Sequence, residues 1–310
     1  MRNFVQKSMG LALVLLMNVF YAATFPLGKL GLQYAGAIFF TGLRMMLAGV
    51  VLLGYYLLTT KRMHTITRND WLLMLKTVLF YDLLAFVFEF WAMQYMSSLK
   101  TNMLWSSLPF VSALLGYYFL HERLTKIKWM GLLVGTAGMV PMMLLPDERM
   151  APLGDLFTVS LPELAMCIVV VSTAYGAFLV KKLHSRGYPL VLVNGITMLI
   201  GGSLLMTVRL SSIVWYPELY ASLPHAIAYA LSLVLVYDIA GCGIYGMLLG
   251  RYTLTFLSFS GLTCPIFGAI FSKLIFHETL YINYIIAFIM ILIGLFLFYR
   301  DEISEELKQQ

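Results

Sequence analysis

LKTVLFYDLL, residues 75–84, and LSLVLVYDIA, residues 231–240, are two copies of one stretch in which a Tyr-Asp pair interrupts a hydrophobic run. The same offset of 156 residues relates Pro109, Ala113, His121, Glu122, Leu124 and Gly138 to Pro265, Ala269, His277, Glu278, Leu280 and Gly294. Matches among Leu, Val and Ala arise easily in an apolar chain, but a repeated aspartate and a repeated Pro-to-Glu spacing do not. We infer that residues 1–150 and 163–310 are copies of one unit, joined by a polar linker at residues 151–162.

The composition indicates a membrane protein. Of the 310 residues, 61% are hydrophobic and 12% are charged, and the mean hydropathy is +0.85. A soluble domain is about 45–50% apolar and about 25% charged. These values exclude an ordinary soluble enzyme, a disordered chain and a disulfide scaffold.

Ten apolar stretches approach the length of about 20 residues that a helix needs to cross a bilayer. They lie near residues 9–27, 37–58, 71–95, 102–120, 129–146, 163–180, 190–208, 226–250, 254–276 and 281–299. None shows the alternation of a barrel strand, and open sheet edges are not tolerated in lipid. The first stretch is longer than the core of a signal peptide, so we expect it to be retained. The sequence therefore predicts an all-α integral membrane protein with ten transmembrane helices.

The distribution of Lys and Arg predicts the orientation. With a cytoplasmic N-terminus, fourteen of these residues lie on the inner side and four on the outer side, namely Lys29, Lys100, Arg149 and Arg209. Cytoplasmic loops carry this excess in membrane proteins. We expect both termini to be cytoplasmic, the linker at 151–162 to be extracytoplasmic, and the chain to lie in the plasma membrane or the cell inner membrane.

Five helices per copy is an odd number, so the two copies must cross the membrane in opposite senses. Inverted repeats of this kind are typical of secondary transporters, in which the substrate site lies near the middle of the membrane. This architecture is the strongest functional signal in the sequence. It predicts alternating access between two inverted five-helix repeats.

Several motifs resemble the EamA-like, ten-helix family of the drug/metabolite transporter superfamily. YAATFPLGKLGL at residues 21–32 and the following Arg44 are similar to the opening of these proteins, with a Lys ending the first helix and an Arg early in the second. LHERLT at residues 120–125 and WMGLLVGTAG at residues 129–138 are similar to the glutamate turn and the glycine-rich fifth helix of the family. The resemblance covers almost the whole chain and implies a transport function without indicating the substrate.

Three acidic residues lie inside predicted spans: Asp82, Glu89 and Asp238. A carboxylate near the centre of a membrane costs about 2.5–3.5 kcal/mol on insertion scales, so it should face a wet cavity or a partner. Glu89 and Arg44 have similar predicted depths, and they could form a structural ion pair as readily as a substrate contact. Asp82 and Asp238 have no evident cation at their depth. They could bind substrate or a proton, or form hydrogen bonds within the bundle.

Aromatic and amide side chains share the predicted faces of these acids. The candidates for a substrate pocket are Asn18, Tyr21, Trp105, Tyr175 and Tyr245. Carboxylates and aromatic faces together suit a cation or a zwitterion. Most of the 19 tyrosines, however, could simply fill the cores of the bundle.

Proline and glycine mark the remaining features. Pro109 and Pro265 occupy equivalent positions inside the fourth and ninth predicted spans, where each removes a backbone hydrogen bond, and we predict that they act as gates. Gly131, Gly135 and Gly138 form a stripe of small residues suited to close helix contact. The sequence leaves open whether that contact lies within one chain or in a homodimer.

The sequence predicts a secondary transporter of a small polar metabolite, with a cationic or zwitterionic solute such as an amino acid or S-adenosylmethionine as the candidate substrate. The histidines at 121 and 277 lack the second histidine of a zinc protease motif, and no ATP-binding GxxxxGK[ST] motif occurs. We therefore expect no catalytic residues, metal, cofactor or nucleic-acid partner. The partners are the substrate and the lipid bilayer, and a coupled proton is left open. A lipid-head-group flippase or a membrane-embedded enzyme is the alternative.

Overall fold

A computed structural model describes residues 2–60, 64–120, 125–138, 160–211, 218–249, 260–277 and 282–309, and every regular element in these ranges is helical. The first half contains α1 (Arg2–Gly31), α2 (Ala37–Thr59), α3 (Arg68–Thr77), α4 (Ala85–Met93), α5 (Ser98–Trp105), α6 (Leu108–Leu120) and α7 (Lys126–Ala137). The second half contains α8 (Leu161–Ser185), α9 (Leu190–Ser211), α10 (Glu218–Leu233), α11 (Cys242–Leu249), α12 (Cys264–Phe276) and α13 (Ile282–Gln309).

Two segments of π-helix carry the repeated Tyr-Asp pair. Val78–Leu84 joins α3 to α4, and Val234–Gly241 joins α10 to α11. The second segment begins 156 residues after the first, which is the offset of the sequence repeat. A π-helix is rare and has wider turns than an α-helix. The repeated stretch thus adopts the same uncommon backbone in both copies.

Six helical stretches within the described residues are long and apolar enough to cross a membrane. They are Ala12–Gly31, Ala37–Thr59, Arg68–Met93, Leu161–Ser185, Leu190–Arg209 and Ser222–Tyr245. These correspond to the first three predicted spans of each half. Cys264–Phe276 and Ile282–Gly294 are apolar but shorter, while the stretches predicted at 129–146 and 254–276 extend outside the described residues. The chain is an all-helical, multi-pass membrane protein, and ten spans stay a prediction.

The two prolines lie at helix starts and not inside helices, as the predicted spans had placed them. Pro109 is the second residue of α6, and Pro265 is the second residue of α12. The predicted span at 102–120 is interrupted at Ser106-Ser107, and a short 3₁₀ turn at Gly261–Thr263 precedes α12. Proline is favoured in the first turn of a helix because its missing N–H has no acceptor there. Each proline therefore begins a helix instead of bending one.

The chain forms two compact units. The first comprises Met1–Pro26, Tyr95–Leu164 and Ile239–Gln310, and the second comprises Leu27–Gln94 and Ala165–Asp238. Each unit draws its segments from both sequence halves. The duplication read from the sequence and the packing of the helices therefore divide the chain differently.

Close helix contact in the second unit depends on glycine. A Cβ atom placed on Gly49 of α2 would lie 2.7 Å from the backbone nitrogen of Leu199 on α9, and one on Gly202 would lie 2.6 Å from the nitrogen of Met46. The first unit has a similar contact between α7 and α13, where a Cβ on Gly294 would lie 2.5 Å from the nitrogen of Gly135. The predicted glycine stripe on α7 therefore packs against α13 of the same chain.

We predict opposite effects of two alanine substitutions on α2. Gly49→Ala should lower the free energy of unfolding by about 1–3 kcal/mol, because the added methyl group overlaps the backbone of α9. Gly54→Ala is the matched control, since a Cβ at Gly54 meets no atom within 4 Å, and it should stabilise the helix by up to about 1 kcal/mol. Thermal unfolding of both variants in detergent measures the difference. Equal effects of the two substitutions would contradict the close contact.

Candidate functional site

Arg44 is the central cation of the second unit. It lies on α2, is 4% exposed, and its Nη2 atom is 3.9 Å from Oδ2 of Asp238. The guanidinium carbon lies 4.7 Å from the ring centroid of Phe86, 5.6 Å from that of Phe90 and 5.3 Å from that of Tyr237. Among the described residues, no hydrogen bond accompanies these contacts. Arg44 is therefore held by aromatic rings and one carboxylate, with donors left for a further acceptor.

Asp82 is the second acid of this site. It is completely buried in the π-helical segment Val78–Leu84, and neither carboxyl oxygen has a hydrogen-bond partner in the described part of the chain. The Thr197 hydroxyl on α9 approaches this carboxyl group and acts on it, and it also donates to the carbonyl oxygen of Asn194 at 3.4 Å. Gly201 of α9 packs beside it: a Cβ there would overlap Cε of Met45 at 2.5 Å and would lie in ordinary contact, 3.7 Å, with Cβ of Asp82. A buried polar group without a partner is costly and needs an explanation.

Arg44 pairs with Asp238 and not with Glu89, which differs from the ion pair expected from the sequence. Glu89 is half-buried on α4 and lies beyond ion-pair distance from Arg44, although the guanidinium acts on it electrostatically. The expectation compared only the predicted depths of the two residues. Rotation about the helix axis also matters, and the wider π-helical turns before α4 change the rotation of the residues that follow them. Asp238, for which no cation was expected, forms the ion pair with Arg44.

We call Arg44, Asp82 and Asp238 the acid–arginine cluster. It combines a guanidinium that has donors to spare with carboxyl oxygens that lack donors. Oδ2 of Asp238 also has no hydrogen-bond partner among the described residues, since 3.9 Å is too long for one. A ligand with an anionic and a cationic group could satisfy both sides at once. Tyr175 belongs to the same unit, and its ring centroid lies 4.9 Å from that of Phe80.

A second cluster of polar side chains lies in the first unit, beside the 3₁₀ turn that precedes α12. Nδ2 of Asn18 donates to the carbonyl oxygen of Ser260 at 2.9 Å and lies 3.1 Å from its hydroxyl oxygen. The Cys264 thiol lies 3.5 Å from Oδ1 of Asn18, and Nδ2 of Asn102 donates to the carbonyl oxygen of Cys264 at 3.3 Å. The two asparagine side chains thus donate hydrogen bonds to backbone carbonyl oxygens at the interruption of the helix. Asn18 therefore has structural partners within its own unit.

The other aromatic candidates of the first unit belong to packing clusters. Tyr21 and Tyr245 are half-buried and pack against Val14, Met17 and neighbouring apolar residues. Trp105 ends α5 and meets Phe25 edge-on, with centroids 6.3 Å apart. The structure therefore groups the predicted site residues into two sets. Arg44, Asp82, Glu89, Tyr175 and Asp238 lie in one unit, and Asn18, Tyr21, Trp105, Tyr245 and the two prolines lie in the other.

Three residues that contact the predicted site residues or their neighbours were not predicted as site residues from the sequence: Thr197, Asn102 and Tyr237. Thr197 and Asn102 are polar residues inside apolar stretches, which is the signal that could have identified them. Tyr237 precedes Asp238 in the repeated motif, but its contact with Arg44 follows from the spatial pairing of two distant helices. The polar turns at His121-Glu122 and Glu278, and the linker residues 151–159, lie outside the described residues.

Two further ion pairs lie near helix ends. Nζ of Lys100 is 2.7 Å from Oε1 of Glu163, and both side chains are almost fully buried in the first unit. In the second unit Asp70 pairs with Arg186 and accepts hydrogen bonds from Thr67 at 2.6 Å and Tyr188 at 2.8 Å. The bond to Asp70 raises the pKa of the Tyr188 phenol. These pairs join helix ends and loops and are separate from the acid–arginine cluster.

The fold and the buried charges define a multi-pass membrane protein whose polar groups lie inside apolar helices, as in transporters. The chain belongs to the EamA-like transporter family, whose sequence model matches residues 8–144 and 160–300. This confirms the resemblance noted from the motifs.

The chain is similar to curated transporters whose names state the compounds that they carry. An S-adenosylmethionine/S-adenosylhomocysteine transporter of Chlamydia muridarum is 27% identical over 308 residues, covering 98% of this chain and 95% of the relative. A transporter of the same name from Chlamydia trachomatis serovar L2 is 28% identical over 302 residues, covering 96% and 91%. A solved crystal structure with 16% identity aligns with a TM-score of 0.59 over 94% of this chain and 96% of the other, which shows a shared fold. The chain is a membrane transporter of small metabolites.

The Arg44–Asp238 contact can be tested by a double-mutant cycle. Arg44→Gln and Asp238→Asn should each destabilise the protein, by about 3–5 kcal/mol, because each leaves a buried charge unpaired. The double variant should lose less than the sum, with a coupling energy of about 1 kcal/mol or more. Thermal unfolding in detergent measures all three variants.

Arg44→Gln combined with Glu89→Gln supplies the comparison. Its coupling energy should be smaller than that of Arg44 with Asp238, since Glu89 lies beyond ion-pair distance. A larger coupling of Arg44 with Glu89 than with Asp238 would show that the originally expected pair is the correct one.

Proposed function

We propose that this protein is a secondary transporter of S-adenosylmethionine and S-adenosylhomocysteine that works by alternating access. Two relatives that align along almost their whole length are named as transporters of these compounds. The acid–arginine cluster offers a guanidinium and two carboxyl groups, which suit the charged groups of these compounds. The observation that carries the proposal is the presence, in one compact unit, of a buried arginine with donors to spare and a buried acid without partners.

The two compounds share an amino-acid group and an adenosine. In this account the amino-acid carboxylate accepts hydrogen bonds from the Arg44 guanidinium, which binds carboxylates with a planar fork of donors. The ammonium group donates to Asp238, whose Oδ2 has no hydrogen-bond partner among the described residues. The aromatic residues of the same unit, including Tyr175 and Tyr237, offer faces for the adenine. Glu89 contributes to the charge balance around Arg44.

The architecture we propose is ten transmembrane helices in two inverted repeats, residues 1–150 and 163–310. The paired π-helical segments and the paired prolines at the starts of α6 and α12 support this arrangement. Interrupted helices at equivalent places in two repeats are typical of transporter binding sites and gates. We place Pro109 and Pro265 at such gates, and both termini on the cytoplasmic side of the plasma membrane or cell inner membrane. A lone buried carboxyl group is also suited to carry a coupled proton.

Transport by reconstituted protein tests the substrate. Proteoliposomes should take up labelled S-adenosylmethionine, and excess S-adenosylhomocysteine should compete with it more strongly than methionine or adenosine alone. Asp238→Asn and Arg44→Gln should reduce uptake at least about tenfold, because one lost charge-assisted hydrogen bond is worth about 1.5–3 kcal/mol. Lys76→Gln is a control, as Lys76 is an exposed residue of α3 outside the cluster.

Two results would overturn this proposal. Either wild-type vesicles take up none of these compounds, or the Asp238 and Arg44 variants, at matched amounts of folded protein, transport at the parental rate. Movement of labelled phospholipid in place of the soluble compounds would support the flippase alternative.

The inverted repeat predicts an asymmetric labelling pattern. Single cysteines placed at the two termini and in the 61–70 loop should react with an impermeant reagent only from the cytoplasmic side, and cysteines at 151–159 only from outside. A background in which Cys167, Cys242 and Cys264 are replaced by serine removes the native thiols. If the 61–70 and 151–159 segments react from the same side, the opposite orientation of the halves is wrong.

A further inference from the structure

The two compounds in the names of the relatives differ by one methyl group and one charge. S-adenosylmethionine has a positively charged sulfonium, whereas the sulfur of S-adenosylhomocysteine is a neutral thioether. The amino-acid and adenosine parts are identical. A single buried site that accepts both must therefore tolerate a change of one unit of charge at the same place, and an uncompensated charge in an apolar environment is costly.

Asp82 has the properties that such a site requires. Its carboxyl group is 0% exposed, and its two oxygens lack hydrogen-bond partners among the described residues. The charged groups that face it from neighbouring elements are Arg44 on α2 and Asp238 in the second π-helical segment, and the Thr197 hydroxyl approaches from α9. Arg44 is already paired with Asp238. The cluster thus has one cation for two acids.

We propose that Asp82 is the charge-balancing residue of the transporter: it is ionised opposite the sulfonium of S-adenosylmethionine and protonated when the neutral S-adenosylhomocysteine is bound. This inference depends on the proposed function. When S-adenosylmethionine binds to the protonated form, the Asp82 proton leaves to solvent. When S-adenosylhomocysteine replaces it, a proton from solvent returns to the carboxylate. The occupied site then has the same net charge with either ligand.

Asp238 and Glu89 are less suited to this role. Asp238 lies 3.9 Å from the Arg44 guanidinium, which compensates its charge whichever ligand is present. Glu89 is half-buried and not fully enclosed, and the nearby Arg44 acts on it as well. Asp82 is the acid whose charge the described residues do not compensate through a direct contact. A ligand cation or a proton must do so.

Exchange of the two ligands then moves no net charge. One S-adenosylmethionine cation crosses in one direction, and one S-adenosylhomocysteine together with one proton crosses in the other. The exchange rate should be insensitive to a membrane potential but sensitive to a pH gradient. The carrier couples a neutral and a cationic substrate through one protonation site.

Binding measured against pH tests the proposal directly. Because S-adenosylmethionine releases the Asp82 proton and S-adenosylhomocysteine requires it, the ratio of their dissociation constants should change with pH by up to about tenfold per unit. S-adenosylmethionine should gain affinity relative to S-adenosylhomocysteine as the pH rises. Isothermal titration of purified wild-type protein with each ligand, between roughly pH 5.5 and 8.5, gives the ratio and spans the region in which perturbed carboxyl groups titrate.

Two variants make the test specific. Asp82→Asn should keep its affinity for S-adenosylhomocysteine, lose at least about tenfold for S-adenosylmethionine, and abolish the pH dependence of the ratio, because the amide cannot ionise. Asp82→Glu should retain the pH dependence. Titrations in buffers of different ionisation enthalpy should show up to one more proton released with S-adenosylmethionine than with S-adenosylhomocysteine in the wild type.

The outcomes separate the inference from the proposed function. If the wild type binds neither ligand, the proposed function fails. If it binds both with a pH-independent ratio, or if Asp82→Asn retains the parental pH dependence, the charge-balancing role is wrong while the substrate assignment remains. Should Asp82→Asn not fold, the wild-type ratio and the proton release decide the question alone.

Discussion

The structure of the second unit depends on the cost of placing charged groups inside apolar helices. Three charged residues, Arg44, Asp82 and Asp238, lie in helical segments long enough to cross a membrane. Each of them is at most 6% exposed. Each such group must have a counter-charge, a hydrogen-bond partner or a ligand, because the hydrocarbon supplies none. Aromatic rings and Asp238 stabilise the arginine, and the Asp82 carboxyl is left to a proton or a ligand. Both aspartates lie in the uncommon π-helical backbone.

Much of this arrangement could be predicted from the sequence. Composition and the length of the apolar stretches predicted the six membrane-spanning stretches found in the described residues, and the repeated Tyr-Asp motif marked the two segments that are π-helical. The motifs around Lys29, Arg44 and residues 129–138 predicted the family, which the match over both halves confirms. The functional class follows from the same features. These signals are local in sequence or repeat at a fixed offset, so they need no knowledge of packing.

Other features could not be read from the sequence because they depend on contacts between distant segments or on irregular backbone. Similar predicted depth suggested that Arg44 could pair with Glu89, whereas the acid within ion-pair distance is Asp238, which comes from a distant segment of the chain. Pro109 and Pro265 were placed inside long helices because the apolar stretches around them continue through the short breaks at Ser106-Ser107 and Gly261–Thr263. The partition of Asn18 and Asp82 into different compact units also follows from tertiary packing alone.

We propose that the acid–arginine cluster binds the transported metabolite, and the decisive experiment is a structure of the protein in lipid nanodiscs with S-adenosylmethionine bound. We expect the amino-acid carboxylate of the ligand within about 3.5 Å of the Arg44 guanidinium, with the sulfonium beside the Asp82 carboxylate. A ligand found elsewhere, for instance against Asn18 and Asn102, with the Arg44–Asp238 contact intact and Asp82 still buried without a partner, would contradict it.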